Sequence, residues 1–438
     1  MIKVVNPDAA GIDIGSEELY VCIPRDRDER PLRRWGTYTA DVHELAQWLV
    51  ARGIKTVAME STGVYWIPVY VILIGYGIEV CLVNARHLKN VPGRKSDVRD
   101  CEWLMDLHMV GLLRASFIPE AGIAKLRSYL RHREALIEQR AVHIQHMQKA
   151  MTQMNVRLTE VITDVTGVTG MAIMRAIAAG QTQPEELLKF RHGRCKAGPE
   201  EFVKALTASY QEEHVFTLKQ SLALYDAYTQ QIEACDKQIE AHLAKLEPHN
   251  PADTGAPLEP SRKTNTHSKN EPTYDARSAL YRLTGVDLTD IDAIHASTAQ
   301  TIIAEIGTDM SKWPSYRHFA AWLGLAPKND ITGGKVRKSR TLPGNRRASQ
   351  AFKMGAQALL NSNSALGAQA RALRARLGPG QAVAIMAHKL ARIVYSMLKT
   401  KTPFAAASAA DYDKAQGERL RKSLERRAAK LGLKLVPS

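Results

Sequence analysis

Short apolar runs alternate with helical patterns between Val4 and Val83, and this alternation constrains the fold more than any other feature of the chain. Runs of this length, rich in Val and Ile, are typical of strands, and the intervening stretches have the spacing of amphipathic helices. The predicted strands are Ala10–Ile14, Leu19–Ile23, Thr56–Glu60 and Glu79–Val83; a polar turn covers Arg25–Arg33, and the helices cover Asp41–Arg52, with Asp41 as N-cap, and Trp66–Gly75. The pattern predicts an α/β domain with a mixed sheet.

Four carboxylates occur where such a sheet could bring them together. Asp13 lies inside the first apolar strand, where a charge costs several kcal/mol unless it is neutralised. Glu60 ends a later strand, and Asp97 and Asp100 are three residues apart at the start of an amphipathic run. Strand ends and a nearby helix start can converge, and converging carboxylates are suited to Mg²⁺. A phosphate-binding loop at Asp13 and a plain strand end are the alternatives.

Positive charge is concentrated near one end of the chain. The 438 residues carry a net charge of +15, yet residues 331–438 hold 22 Lys and Arg against 4 Asp and Glu. Residues 331–410 contain 14 basic residues and no acidic one. This distribution favours a polyphosphate partner, with a merely soluble basic helical region as the alternative.

The acids and their context resemble the DEDD recombinases of the insertion-sequence-110 family, relatives of the Piv invertase. Glu60 lies in Glu60-Ser61-Thr62-Gly63-Val64-Tyr65, and the acid pair lies in Lys95-Ser96-Asp97-Val98-Arg99-Asp100. The resemblance implies a RuvC-like first domain of the ribonuclease H fold. It also implies that Asp13, Glu60, Asp97 and Asp100 are catalytic metal ligands for Mg²⁺, with a two-metal site possible.

A second signature of the same family follows Phe319. Phe319–Pro327 and Ile331–Val336 resemble its Gly-Leu-x-Pro segment and the following Ser-Gly pair. The resemblance implies that the hydroxyl before the glycine is a nucleophile that attacks a DNA phosphate; this chain has Thr332 there. Two glycines allow close approach of a phosphate, and Lys335, Arg337, Lys338 and Arg340 can neutralise the transition state. Ser339 is the fallback nucleophile, followed by Thr341, and a Gly-Gly hairpin turn with a solvated basic arm is the structural alternative.

The partners expected from this resemblance are double-stranded donor and target DNA and a structured guide RNA, often termed a bridge RNA. It also implies a homodimer or tetramer whose active sites are composed across subunits. The residues assigned to nucleic-acid binding are Arg94, Lys95, Lys335, Arg337, Lys338, Arg340, Arg346 and Arg347. Nothing in these residues separates DNA from RNA.

The remaining chain is predicted to be mostly helical. Long amphipathic helices over 123–160 and 214–246 form either a coiled-coil dimer, which the resemblance favours, or an internal hairpin. The predicted domains are 1–118 (RuvC-like), 119–246 (helical coiled coil with a small subdomain at about 160–213), 247–277 (flexible linker), 278–410 (mostly α-helical transposase domain) and 411–438 (basic helical tail). In the subdomain, the basic cluster around Arg191 and Cys195 is interpreted as a phosphate contact or a solvated turn.

The sequence therefore predicts a Mg²⁺-dependent DNA transposase that cuts and exchanges strands through a covalent intermediate. Three alternatives stay open: a hydrolytic Holliday-junction nuclease, an actin- or sugar-kinase-like ATPase whose first phosphate loop would be Asp13–Ser16, and a non-catalytic nucleic-acid scaffold. Five scattered cysteines, no signal peptide and no apolar run of about 18 residues indicate a cytosolic protein. The family resemblance implies the bacterial cytosol and association with the nucleoid.

Overall fold

A computed structural model gives the fold, and it describes residues 4–61, 63–84, 97–248, 258, 269–405, 409–430 and 432–433. The chain divides into two compact units, Met1–Ile118 and Pro119–Ser438. Each unit is considered by itself below. No helix in the described ranges combines the length and the apolar character needed to cross a membrane.

The first unit is built on a five-stranded mixed sheet in the order β3-β2-β1-β4-β5. β1 pairs in parallel with β4 and β4 with β5, whereas β1–β2 and β2–β3 are antiparallel. The strands are β1 (Ala9–Ile14), β2 (Glu18–Cys22), β3 (Leu32–Gly36), β4 (Thr56–Glu60) and β5 (Glu79–Val83), and the helices are α1 (Thr39–Ala51), α2 (Trp66–Gly75) and α3 (Asp97–Met109). The predicted α/β domain with a mixed sheet is confirmed.

The two faces of this sheet are covered by different helices. Alternate residues of a strand point to opposite faces, so Ile12 and Met59 belong to one face and Gly11 to the other. On the first face, Ile12 and Met59 join the apolar core formed with Leu45 of α1 and Leu73 of α2. α3 covers the second face. β1 does not alternate between polar and apolar residues because both of its faces are buried.

Two local predictions in this unit were wrong. β3 begins at Leu32, inside the segment predicted as a polar turn up to Arg33. The N-cap of α1 is Tyr38, and Asp41 is the third helical residue, where its carboxylate accepts a hydrogen bond of 3.2 Å from the Tyr38 N–H. Asp41 therefore satisfies the helix start from within the first turn, as an acid at this position often does.

The second unit is mostly helical, with one hairpin. Its N-terminal part contains α4 (Ala121–Gln153), α5 (Leu158–Val161), α6 (Val168–Ala178), α7 (Pro184–Leu188), α8 (Pro199–Leu206) and α9 (Glu212–Lys245). The remainder contains α10 (Ala276–Thr284), a 3-10 turn (Leu288–Asp290), α11 (Ala296–Ile306), α12 (Tyr316–Trp322), β6 (Pro327–Thr332), β7 (Lys335–Thr341), α13 (Arg346–Ala358), a 3-10 turn (Leu359–Asn361), α14 (Ala365–Leu377), α15 (Pro379–Thr400) and α16 (Ala409–Lys430).

The long helices α4 and α9 pack against each other in antiparallel register. Leu126 packs near Leu243 at one end, and further along, the guanidinium of Arg133 binds the Asp236 carboxylate at 2.5 and 3.1 Å. Arg140 then reaches Thr229 at 3.3 Å. The pairing that the structure gives is thus the internal hairpin, and dimerisation through these helices stays a prediction.

Part of the predicted linker 247–277 is packed rather than flexible. Arg133 donates to the backbone carbonyls of Asn270 and Glu271, and the Thr273 N–H donates to Asp236. The buried ion pair on the helices therefore holds the chain directly before α10, and the linker prediction was wrong from Lys269 onward. Except for residues 247, 248 and 258, the earlier part of the predicted linker lies outside the described residues.

The small subdomain between α4 and α9 shares a core with both helices. Phe202 and Ile173 are fully buried there, together with Met147 of α4 and Leu218 of α9. Arg191, in the predicted basic cluster, donates hydrogen bonds to the carbonyls of Cys195 and Ala197. These bonds close a turn, in agreement with one of the two interpretations of that cluster.

Candidate functional site

Asp13 and Glu60 lie side by side at the carboxyl ends of two neighbouring parallel strands. The register pairs Gly11 with Ala58 and Ile12 with Met59, so the next residues on the two strands are the two acids. Neighbouring strands are about 4.8 Å apart, and paired residues project from the same face. Both side chains are half-buried. The sheet therefore brings two carboxylates from positions 47 residues apart onto one edge.

The face that carries the two acids is the one covered by α3. A Cβ atom built on Gly11 would lie 2.1 Å from the Cys101 carbonyl oxygen and 2.6 Å from the Met105 amide nitrogen. Asp13 is two residues beyond Gly11 and so projects from the same face. Glycine is required at position 11 because the α3 backbone touches the strand there.

α3 runs antiparallel to β1, so its first turn lies toward the acidic edge. At its other end, Thr56 Oγ1 is 2.8 Å from His108 Nε2, and the Met109 carbonyl accepts from the Val5 and Asn6 N–H groups. Burial, with an opposing contribution from Glu79, lowers the pKa of His108, so this contact is between neutral groups. The helix therefore contacts the sheet at Gly11 and again at its C-terminal end.

The first turn of α3 carries the other two predicted ligands. Asp97 begins the helix one turn before Cys101, and Asp100 directly precedes Cys101 and is half-buried. Cys22 and burial, with a smaller contribution from the charge of Asp13, raise the pKa of the Cys101 thiol. The charge of Asp13 thus acts on the fifth residue of α3. The side chain of Asp97, and Arg94 and Lys95 altogether, lie outside the described residues.

Mg²⁺ prefers oxygen ligands, and the paired carboxylates of Asp13 and Glu60 are of that kind. Within the described ranges, no group of three or more His, Cys, Asp or Glu side chains is placed to hold a metal ion. The described side chains thus provide a pair that fits a divalent ion. The geometry of a four-carboxylate set stays a prediction because it depends on Asp97.

Thr332 lies at the tip of the hairpin formed by β6 and β7. It pairs with Lys335 across Gly333 and Gly334, which have φ of +58° and +74° and form a two-residue turn. The tip is exposed, and Ile331 is 62% exposed. The hydroxyl is therefore accessible at a glycine turn, as the sequence predicts. Lys335, Arg337 and Arg340 are exposed on the same hairpin, whereas nothing is described of the side chains of Lys338, Ser339 and Arg346.

The root of this hairpin is held by close backbone packing. A Cβ atom on Gly344 would lie 2.2 Å from the Leu323 carbonyl carbon, and one on Gly324, where φ is +73°, would lie 2.5 Å from the Leu342 carbonyl oxygen. The chain entering the hairpin thus touches the chain leaving it. This backbone contact fixes the base from which the hairpin projects.

A polar network that the sequence does not predict adjoins the base of the hairpin. The side chain of Glu305 is 3% exposed and accepts from Arg131 and, at 3.1 Å, from the Asn345 amide. Asn345 also caps α13 by accepting from the Ala348 N–H at 3.1 Å. Arg347, assigned to nucleic acid from the sequence, forms an ion pair with Glu134. The available signal was an acid inside the apolar run Ile302–Ile306, the same kind of signal that drew attention to Asp13.

Two models of known protein families match the chain, one over the acidic residues and one over the hairpin. Residues 10–156 match the family model described as the DEDD transposase of IS110, and residues 287–371 match the model described as "Transposase IS116/IS110/IS902 family". A search of curated proteins finds no match. The first match contains Asp13, Glu60, Asp97 and Asp100, and the second contains the hairpin with Thr332. The two models of one family together span more than half of the sequence, and the chain belongs to the IS110 family of transposases.

Proposed function

We propose that this transposase cleaves and rejoins DNA with two separate chemical groups. Asp13, Glu60, Asp97 and Asp100 would hold Mg²⁺, and Thr332 is the nucleophile. The observation that carries the proposal is the pairing of Asp13 with Glu60 on one face of the sheet, beside the first turn of α3. When bound there, Mg²⁺ would neutralise charge on the phosphate and on the leaving oxygen.

In the proposed cleavage, Thr332 Oγ1 attacks the phosphorus of a DNA strand. A bond forms between that oxygen and phosphorus, the bond to one deoxyribose oxygen breaks, and the released strand end leaves as a hydroxyl that takes up a proton. A hydroxyl of a second strand then attacks the threonyl phosphoester, which restores a phosphodiester and frees Thr332. The step exchanges one phosphoester for another and needs no oxidant or nucleotide.

The exposed position of Thr332 supports this role. Gly333 and Gly334 have no side chains to block an approaching phosphate, and a Cβ at either position would meet no atom within 4 Å. Lys335 and Arg337 follow on β7 and are exposed. Preorganised cations close to a phosphate stabilise the charge that develops in the transition state.

The covalent step is tested with Thr332→Ala on a labelled DNA substrate carrying the element's ends. We expect the wild-type protein to give a covalent protein–DNA adduct that survives denaturation, and Thr332→Ala to give none. If Thr332→Ala still nicks DNA in Mg²⁺, the hydrolytic nuclease is the better function. If the adduct persists and maps to Ser339, the fallback nucleophile is correct and the proposal for Thr332 is wrong.

The metal role is tested with Asp13→Asn and Glu60→Gln, which keep the size of each side chain. We expect both to lose cleavage by a factor of about 100 or more while DNA binding in EDTA is unchanged, because removal of a group that stabilises transition-state charge costs on that scale. Intact recombination with both Asp13→Asn and Glu60→Gln would support the non-catalytic scaffold. Glu79→Gln, at the opposite end of β5, is the matched control.

A structured guide RNA and composite sites across subunits complete the proposal. The excess of basic residues after residue 331 supports a nucleic-acid partner beyond the scissile strand. The test is purification of the protein from cells that carry the whole element, followed by sequencing of bound RNA. Mixing an Asp13→Asn protein with a Thr332→Ala protein then tests whether an active site takes Asp13 from one subunit and Thr332 from another. Activity returns only in that case.

A further inference from the structure

A cleft lined by arginines is formed by the β2–β3 loop, the first residues of β3 and the C-cap of α1 in the first unit. It has a volume of about 990 Å³, and its arginines are Arg25, Arg27, Arg30, Arg33, Arg34 and Arg52. Three of them, Arg25, Arg27 and Arg30, belong to the loop that joins β2 to β3. Cys22 at the end of β2 pairs with Gly11 near the start of β1, and Arg27 binds Asp8, which precedes β1. Asp8 and Asp13 are five residues apart on an extended segment, roughly 17 Å.

A buried carboxylate organises the cleft. The Asp28 side chain is 4% exposed and accepts from Arg52 Nε at 2.6 Å, from Arg33 Nη2 at 3.0 Å and from the Trp48 indole at 3.1 Å. The Arg30 backbone N–H completes the set at 2.8 Å. These donors, with the Arg30 N–H as the largest contribution, hold the pKa of Asp28 well below its usual range, so it stays ionised.

Asp28 fixes the position of Arg33 and Arg52 but engages only some of their N–H donors. A guanidinium has five N–H donors, and Arg33 and Arg52 each spend only part of theirs on Asp28. The Arg33 guanidinium also lies over the Trp48 ring, 4.9 Å from its centroid. Fixed guanidinium groups with spare donors match the oxygens of a phosphate better than mobile ones do.

The cleft is also the place where the first unit concentrates positive charge. Residues 1–118 hold 14 Lys and Arg against 15 Asp and Glu, whereas the cleft has six arginines against three acids. The exposed side chains of Arg25 and Arg30 have no hydrogen-bonded or ion-paired partner among the described residues. Arg27 and Arg34 are ion-paired with Asp8 and Glu18, so Arg25 and Arg30 are the arginines available to an external anion.

We propose that this cleft is a second nucleic-acid site, which binds the phosphate backbone and reads no bases. Arg25 and Arg30 contact phosphates directly, while Asp28 fixes Arg33 and Arg52 beside them. Arg25 and Arg30 lie on the β2–β3 loop, beyond the end of β2 that pairs with Gly11, so they hold nucleic acid without taking part in cleavage. It rests on the transposase family only for the class of ligand and is independent of the roles proposed for Asp13 and Thr332.

The test is binding of fluorescently labelled duplex DNA and of single-stranded RNA of the same sequence, by anisotropy, in EDTA from 50 to 300 mM KCl. The variant is Arg25→Gln/Arg30→Gln, which leaves the Asp28 network intact. For a contacted duplex we expect affinity to fall several-fold and the log–log salt slope to lose about 1 to 2, since each phosphate contact contributes about 0.9. If the salt slope changes only with RNA, by the smaller amount expected for a single strand, then RNA is the ligand and the site is still supported.

Two further variants make the result decisive. Glu29→Gln removes an acid from the same cleft, so it should strengthen binding. Arg157→Gln/Arg175→Gln is the control, because it removes two exposed arginines of the second unit, outside the cleft. It should not reproduce the loss of affinity and salt slope seen with Arg25→Gln/Arg30→Gln. Unchanged affinity and slope for both nucleic acids in Arg25→Gln/Arg30→Gln, with an unchanged melting temperature, would overturn the proposal. Asp13→Asn should bind normally in EDTA, which separates this result from failure of the cleavage proposal.

Discussion

The carboxylate of Glu305 accepts two parallel hydrogen bonds from the Arg131 guanidinium, each 2.9 Å long. Arg131 belongs to α4 and Glu305 to the end of α11, and Asn345 joins the same carboxylate just before α13. The long helix pair and the base of the Thr332 hairpin therefore meet at one side chain. Displacing Glu305 should move the hairpin as well as weaken the fold.

Arg131→Lys tests this relationship with the charge kept. A lysine cannot form the two parallel bonds, so we expect a lower melting temperature and reduced DNA cleavage with unchanged DNA binding. Glu305→Ala should be more severe, lowering the free energy of unfolding by about 1–3 kcal/mol, because the largely covered Arg127 and the Asn345 amide lose the carboxylate that they contact. Arg175→Lys, at an exposed pair with Asp226, is the control and should change it by under about 1 kcal/mol. Equal effects at both pairs would contradict this account.

Gly11→Ala should destabilise the first unit and reduce cleavage. The added methyl would meet the α3 backbone at Cys101 and Met105, so the helix must move away from β1. Overpacking of this kind costs about 1–3 kcal/mol of unfolding free energy, measured by denaturant titration. Gly75→Ala is the matched control because nothing lies within 4 Å of its Cβ position. A Gly11→Ala protein with wild-type stability would show that α3 does not rest on the strand.

His108 should make the stability of the first unit depend on pH. Its pKa is lowered by burial in the folded chain, so below the ordinary histidine pKa of about 6.5 the unfolded chain takes up a proton that the folded chain does not. Stability therefore falls as pH drops below about 6.5, by at most about 1.4 kcal/mol per pH unit, until the lowered pKa is reached.

Thermal unfolding at pH 7.5 and pH 5.5 measures this effect. His108→Gln should be less stable than wild type at pH 7.5, since it disturbs the contact with Thr56, but should lose less stability on acidification. An equal loss in both proteins would assign the pH dependence to other groups. His132→Gln, an exposed histidine of α4, serves as the control.

Thr332→Ser should accelerate formation of the covalent adduct. A primary hydroxyl is less hindered than a secondary one, and serine lacks the branch at Cβ that restricts χ1. We expect a single-turnover cleavage rate higher on the order of tenfold, because the hairpin position and its basic residues are unchanged. A lower rate would indicate that the threonine methyl group helps to orient the hydroxyl.

The strands that are apolar runs were predictable, including the edge strand β5, whereas the other edge strand, β3, was not. β1, β4 and β5 agree with the predicted runs to within one residue because each is a short, mostly apolar run of the expected length. β3 contains Arg33 and Arg34 and has no apolar alternation. It exists because it pairs with β2 and packs Trp35 against Trp48, which are interactions between distant parts of the chain.

The sequence by itself determined the family, the α/β unit, the acids Asp13 and Glu60 and the glycine turn after Thr332, because strand periodicity and short motifs are local properties. Only the tertiary structure decided that β1 and β4 are neighbours in a register that pairs Asp13 with Glu60. It also decided that Glu305 supports the hairpin and that Asp28 gathers arginines into a cleft. Those relationships depend on contacts between residues far apart in the chain, and no local pattern encodes them.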